Sequence, residues 1–102
     1  MELNKNDVLI YLDYEIKLLM KNHSLSRYEA IDYLHEDFQK MIYHYSYNIA
    51  EFYSDNENKF YESEIEVFEA ISLLVQYRKL LKCLKIIMKG EDINERETTS
   101  RV

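Results

Sequence analysis

The stretch from Glu64 to Lys89 carries the longest uninterrupted helical pattern in the sequence. Its apolar residues recur at alternating spacings of three and four, which places them on one helical stripe. A second apolar row lies beside that stripe and widens the arc beyond what one partner helix can cover, so we expect neighbours on more than one side. The two rows are Ala70, Leu73, Tyr77, Leu80, Leu84 and Ile87, and Val67, Ile71, Leu74, Leu81 and Met88.

Residues that form turns are nearly absent from the chain, which has no Pro and one Gly in 102 residues. A sheet protein needs such residues at each reversal, whereas a few long helices do not. Apolar residues make up 47% of the chain, which is enough to build a core without disulfides or metals. The single Cys83 lies in an apolar run and is expected in that core. The composition therefore predicts one all-α domain.

Two sequence motifs mark helix starts. Ser26 with Glu29, and Ser63 with Glu66, have the S-x-x-E form of a capping box. Asn4 or Asn6 can cap a further helix near the N-terminus. Together with the periodic apolar positions, these signals predict helices over 7–22, 27–53 and 64–89.

One local pattern competes with the second helix. Tyr43, Tyr45 and Tyr47 alternate with polar residues, which is the period of a half-buried strand. No other segment of the chain alternates in this way and could pair with such a strand. The helix is therefore favoured throughout 27–53.

Short connections between the predicted helices favour an antiparallel three-helix bundle with two long helices and a shorter first helix. The long helices each span about 40 Å, whereas the first spans about 22 Å, so part of the apolar groove should remain uncovered. Gly90 stands where a left-handed residue commonly ends a helix. We therefore predict a helical bundle domain over 1–90 and a flexible polar tail over 91–102.

Tyrosines off the core stripe are the best indication of function. Tyr43 and Tyr47 lie one turn apart, and Tyr33 lies on nearly the same side. Tyr is enriched at protein interfaces because it joins a large apolar ring to a polar tip. The alternative is that the first helix packs there and buries these rings. We expect a homodimer, a complex with another protein, or both, formed through Tyr43, Tyr47, Phe52, Leu74, Leu81 and Met88.

A basic stripe on the third helix consists of Arg78, Lys82, Lys85 and Lys89. Such a stripe is typical of a contact with nucleic acid, or of a solvated face that complements the helix dipole. The net charge of −6 disfavours nucleic acid as the partner.

Two pairs of carboxylates suggest a different class of function. Glu29-x-x-Asp32 and Glu66-x-x-Glu69 resemble, in reverse order, the E-x-x-E and E-x-x-D pairs of all-helical nucleotide pyrophosphohydrolases. The resemblance implies a magnesium-dependent nucleotide hydrolase that uses these four carboxylates. The chain has 19 acidic residues, and such spacings are common in an acidic helical chain. Asp32-x-x-His35 has the spacing of a di-metal bundle motif, but no second pair accompanies it.

From these patterns we predict a non-enzymatic interaction protein without catalytic residues, metal or cofactor. No segment approaches the roughly 18 consecutive apolar residues of a membrane span, and MELNKND does not begin a secretory signal, so we expect a cytoplasmic protein without membrane contact. Abundant Lys, Asn, Ile and Tyr are typical of AT-rich bacterial and phage genomes. A small phage or plasmid regulator, or an immunity-type inhibitor, fits this description.

Overall fold

The computed structural model describes residues 4–54 and 60–100, with side chains for 4–54 and 60–90. Within these residues the chain forms three helices and no strand: α1 (Lys5–His23), α2 (Arg27–Tyr53) and α3 (Glu64–Ser100). They pack as an antiparallel bundle in which α2 and α3 share the most extensive contact. The all-α prediction is confirmed, and 41–47 is helical as predicted.

Local hydrogen bonds explain where α2 and α3 begin. The N–H of Glu29 donates to Ser26 Oγ at 3.1 Å, and the N–H of Ser26 donates to Glu29 Oε1 at 3.0 Å. Hydrogen bonds that the Glu29 carboxylate accepts from Ser26, the one from the backbone N–H above all, hold the pKa of this carboxyl below its ordinary value. The second predicted capping box, formed by Ser63 and Glu66, is present only in part. The N–H of Glu66 donates to Ser63 Oγ at 3.3 Å, but the Glu66 carboxylate accepts from the N–H of Glu62 at 2.7 Å.

The ends of α1 are set by one side chain and one backbone conformation. Asn4 caps the helix, because its Oδ1 accepts a hydrogen bond of 2.8 Å from the N–H of Asn6. The helix therefore starts two residues earlier than predicted. It ends before Ser24, whose left-handed backbone (φ 53°) turns the chain towards α2.

One carboxylate links α1 to the start of α2. Asp13 accepts from Lys17 at 2.8 Å and from Arg27 at 3.4 Å. The hydrogen bond from Lys17 is the largest cause of the lowered pKa of Asp13, and Arg27 adds to it. All three side chains are substantially exposed, so the contribution to stability is small, about 1 kcal/mol or less.

The main core lies where all three helices meet. Leu12 and Ile16 of α1 and Leu84 of α3 are fully buried, and Cys83 is buried as predicted. This core joins the first half of α2 to the part of α3 that follows Tyr77. Its buried members are Val8, Leu12, Ile16, Ala30, Ile31, Leu34, Phe38, Cys83 and Leu84.

A second, smaller core joins α2 and α3 at the other end of the hairpin. Tyr61, Val67 and Ala70 are buried there, and none of the described members of this core comes from α1. The reason is length, since α1 has 19 residues whereas α2 has 27. We call this uncovered end, residues 41–54 and 60–76, the open segment.

The end of α3 corrects the sequence-based prediction. The sequence predicted that the third helix ends at Lys89 and that Gly90 adopts a left-handed conformation. This prediction is wrong, because α3 continues to Ser100 and Gly90 has no positive φ. A Gly inside a helix costs about 1 kcal/mol relative to Ala, which does not stop a helix by itself. The division into a 1–90 domain and a flexible 91–102 tail stays a prediction, and 101–102 lie outside the described residues.

Substitution of one buried isoleucine tests the position of α1. Ile16 is 0% exposed and Ile10 on the same helix is 69% exposed. We expect Ile16→Ala to lower the free energy of unfolding by about 2–5 kcal/mol, because it leaves a cavity where three helices meet. Ile10→Ala should change it by about 0.5 kcal/mol or less. Urea denaturation followed by circular dichroism measures both, and equal losses would contradict the observed packing of α1.

The conformation of Gly90 is tested by two substitutions. A Cβ at this position would meet no atom within 4 Å, so Gly90→Ala should raise the free energy of unfolding by about 0.5–1 kcal/mol. Gly90→Asn should gain less than Ala, because Asn has a lower helix propensity. A left-handed Gly90 would reverse this order, since Asn tolerates that conformation and Ala does not. Thermal denaturation of the three proteins gives the order.

The hydroxyl of Tyr61 provides a test of the second core. The side chain is 8% exposed, and its buried hydroxyl has no hydrogen-bond partner among the described residues. Leaving such a group unpaired is unfavourable, so Tyr61→Phe should leave the free energy of unfolding unchanged or raise it by about 1 kcal/mol. Tyr47→Phe, at an exposed position, is the control. A loss of more than about 1 kcal/mol would show that the hydroxyl is hydrogen-bonded in the folded protein.

The same variant has an expected pH dependence. Burial, then Tyr45 and Glu66, raise the pKa of Tyr61 above its ordinary 10.0. A group whose pKa is raised on folding stabilises the protein below its unfolded pKa, and that contribution disappears as the pH rises through the folded pKa. The alkaline loss of stability should therefore be smaller in Tyr61→Phe than in the wild type.

Candidate interaction surfaces

An exposed tyrosine pair lies on the open segment. Tyr43 and Tyr47 stack with ring centroids 6.1 Å apart and an interplanar angle of 21°. Tyr43 is 71% exposed, and Tyr47 and Tyr33 are also more than half exposed. The alternative that α1 buries these rings is therefore wrong, because α1 packs in a groove on the other side of α2. Two parallel rings already held by one helix lose little side-chain freedom when a partner covers them.

The predicted interface of six residues separates into two groups. Tyr43 and Tyr47 are exposed, whereas the other four are half-buried. Leu81 and Met88 pack against the main core, and Phe52 packs against the second core. Leu74 is half-buried on α3 within the open segment. The structure thus does not bring the six together as one external surface, and the tyrosine pair is the part of it that a partner can reach.

A second exposed apolar surface, on α3, was missed in the sequence analysis. Positions 65, 68, 72, 75, 79, 82 and 86 repeat at spacings of three and four and are all exposed. Ile65, Phe68, Val75 and Ile86 occupy four of them and are between 42% and 71% exposed. We call this line the outer stripe of α3. Its spacing could have revealed it, but the stronger apolar rows on the same helix obscured it.

Charges between positions 64 and 89 of α3 are segregated along the helix. Glu64, Glu66 and Glu69 lie in the first part, and the segment 64–76 contains no Lys or Arg. The segment 77–89 contains no Asp or Glu, and all of its basic residues are exposed: Arg78, Lys79, Lys82, Lys85 and Lys89. The predicted basic stripe is therefore accessible to solvent. It lies next to the outer stripe, which itself includes Lys79 and Lys82.

A small groove lies between the middle of α1 and the hairpin. It has a volume of about 330 Å³ and is lined by residues of all three helices, including Tyr11, Asp37, Leu73 and Tyr77. Burial is the main cause that raises the pKa of both tyrosines, and nearby Glu15 adds to the effect at Tyr11. The groove is lined by the carboxylates of Glu15 and Asp37, and none of its described lining residues is basic, which makes it unsuitable for an anion such as phosphate.

The carboxylates of the hydrolase hypothesis lie at opposite ends of the hairpin. Glu29 and Asp32 are in the first turns of α2, beside the main core, whereas Glu66 and Glu69 are in the first turns of α3, beside the second core. The antiparallel arrangement separates the two pairs by about 30 Å along the helices. They cannot hold one magnesium ion together, so the resemblance to the pyrophosphohydrolases is not matched by a shared site within one chain.

Neither a cluster of metal ligands nor a membrane-spanning helix is found among the described residues. No group of three or more His, Cys, Asp or Glu in them is placed to hold a metal ion, and this includes Asp32 with His35. None of the described helices combines the length and the hydropathy needed to cross a membrane.

Comparisons with models of protein families, with curated proteins and with solved structures found no match to this chain. The surfaces described above are therefore the basis for any statement about function.

Proposed function

We propose that this chain is a non-enzymatic helical interaction module that binds another protein through Tyr43 and Tyr47. The observation that carries the proposal is the stacked tyrosine pair, which is exposed on the open segment. Exposed aromatic rings on a rigid helix have the chemistry of an interface centre, where a few Tyr, Trp and Arg residues supply most of the binding energy.

The surroundings of the pair favour a protein as the partner. His44 contacts the exposed ring of Phe60 edge-to-face at 5.4 Å, so a second aromatic contact lies close to the pair on the same part of the hairpin. Asn48 donates to His44 Nδ1 at 3.2 Å and adds polar groups to the rim. An apolar centre with a polar rim is the usual composition of a protein interface. A small regulator or inhibitor would act by occupying its target through such a surface.

A second candidate function is nucleic-acid binding through the basic stripe. Its support is that Arg78, Lys82, Lys85 and Lys89 are all exposed on one helix. The net charge of −6 opposes it, because most of the surface repels phosphate. We therefore place it second.

The proposed function is tested with paired alanine variants. The tagged full chain is used to capture a partner from cells of its source, and the affinity is then measured with purified components. Tyr43→Ala with Tyr47→Ala should weaken binding by at least about 30-fold, because central aromatic residues typically contribute 2 kcal/mol or more. Tyr14→Ala with Tyr28→Ala, at exposed positions away from the open segment, should have little effect.

Circular dichroism must show that both double variants are folded. A partner that binds the Tyr43/Tyr47 variant as tightly as the wild type would overturn the proposal. Failure to capture any specific partner under conditions that preserve the fold would also count against it.

A further inference from the structure

We propose that α3 pairs with α3 of a second copy of this chain, in antiparallel orientation, through the outer stripe. This inference does not rest on the proposed function. The outer stripe lies on the solvent side of α3, and the pairing uses none of the tyrosines of α2.

The exposed apolar residues have the spacing of a helix–helix contact. Ile65, Phe68, Val75 and Ile86 fall on a line that repeats at intervals of three and four over about 32 Å. This is the a/d pattern by which two helices pack along their length. Main-core residues such as Leu84 lie on a different line and are already buried, so this contact would leave the fold of each chain unchanged.

The charge pattern indicates a second copy as the occupant. The first part of the stripe is flanked by Glu64 and Glu69, and the last part contains Lys82 and is flanked by Lys85. When a helix is rotated by 180° about a two-fold axis near Val75, its acidic part faces the basic part of the other copy. Because the axis is two-fold, the same attraction occurs at both ends.

The antiparallel orientation of the two α3 helices follows from the same charges. A parallel pair would place Glu64 and Glu69 beside the same residues of the second copy, and would do the same with the lysines. Like charges at such positions are unfavourable, whereas an antiparallel pair joins opposite charges and also opposes the two helix dipoles. The outer stripe includes Lys79 and Lys82, so we expect a weak, salt-sensitive dimer.

The experiment uses the full chain and two charge-reversal variants. Sedimentation equilibrium between about 1 and 500 µM, a range suited to weak association, should give twice the 12.4 kDa chain mass at the upper end and less dimer in high salt. Glu64→Lys with Glu69→Lys places lysines beside the first part of the outer stripe, and Lys82→Glu with Lys85→Glu places glutamates at its last part. Each variant alone should be at least tenfold weaker in self-association.

Mixing the two variants provides the decisive measurement. At the substituted positions the lysine-rich variant and the glutamate-rich variant are complementary at both ends of an antiparallel pair, so the mixture should form a 1:1 heterodimer. A defect in folding could not produce this rescue. Glu36→Lys with Lys40→Glu, a charge swap at exposed positions on α2, is the matched control and should leave the wild-type dimer intact. Phe68→Ser should weaken the dimer without charge reversal.

Three results would overturn the proposal. The wild type could have the mass of one chain at all concentrations. The Glu64/Glu69 variant could remain dimeric, which would place the contact elsewhere. The two variants could fail to associate on mixing. If the wild type is a monomer that binds duplex DNA at low salt and Lys82→Glu with Lys85→Glu abolishes this, the basic stripe serves nucleic acid instead.

Discussion

The mismatch in length between α1 and the α2–α3 hairpin is the constraint on which the remaining features depend. Two helices alone bury too little apolar surface for a stable fold, and α1 supplies the third side of the core with Val8, Leu12 and Ile16. At 1.5 Å per residue, α1 reaches about 28 Å, whereas α2 reaches about 40 Å. One end of the hairpin is therefore stabilised by three helices and the other by two. The described part of the molecule is elongated, with extents of 60 × 27 × 26 Å, because the 37 residues of α3 alone reach about 56 Å.

Aromatic side chains hold α2 and α3 together where α1 is absent. Tyr77 contacts Phe38 at 6.0 Å and stacks on Tyr45 at 5.9 Å, so one ring on α3 connects the main core to the open segment. Tyr61 closes the far end of the hairpin over Val67 and Ala70. Large flat rings bury much area per residue, which compensates in part for the missing third helix. This explains why the open segment is rich in Tyr: some rings serve the core, and others, such as Tyr43, face solvent.

Local interactions were the features best predicted from sequence. The Ser26 capping box involves residues three apart, so its geometry is already implied by the motif, and the helix start at Arg27 was predicted correctly. The helical state of 41–47 followed from the lack of any segment that could pair with a strand. The end of α3 was not predictable in this way. Gly90 permits both a left-handed helix end and a continuation of the helix. The two conformations differ in free energy by about as much as Gly and Ala differ in helix propensity.

The candidate surfaces were harder to predict because a helix with several apolar rows does not reveal which row is buried. Leu81 and Met88 were assigned to an interface, yet they pack against the main core, while Ile65 and Phe68 on another row are exposed. The choice depends on where α1 ends along α3, which is a tertiary property that no single segment encodes.

The charges on α3 give further information about the exposed row. Glutamates accompany the exposed row over 64–69 and lysines over 79–85, whereas no charged residue is buried among the described side chains. Solubility alone requires no such separation of sign along one helix, since interspersed charges serve it equally well. The segregation suits the single chain, because the basic part of α3 packs beside the acidic first turns of α2, and it also makes the exposed row complementary to an antiparallel copy of itself.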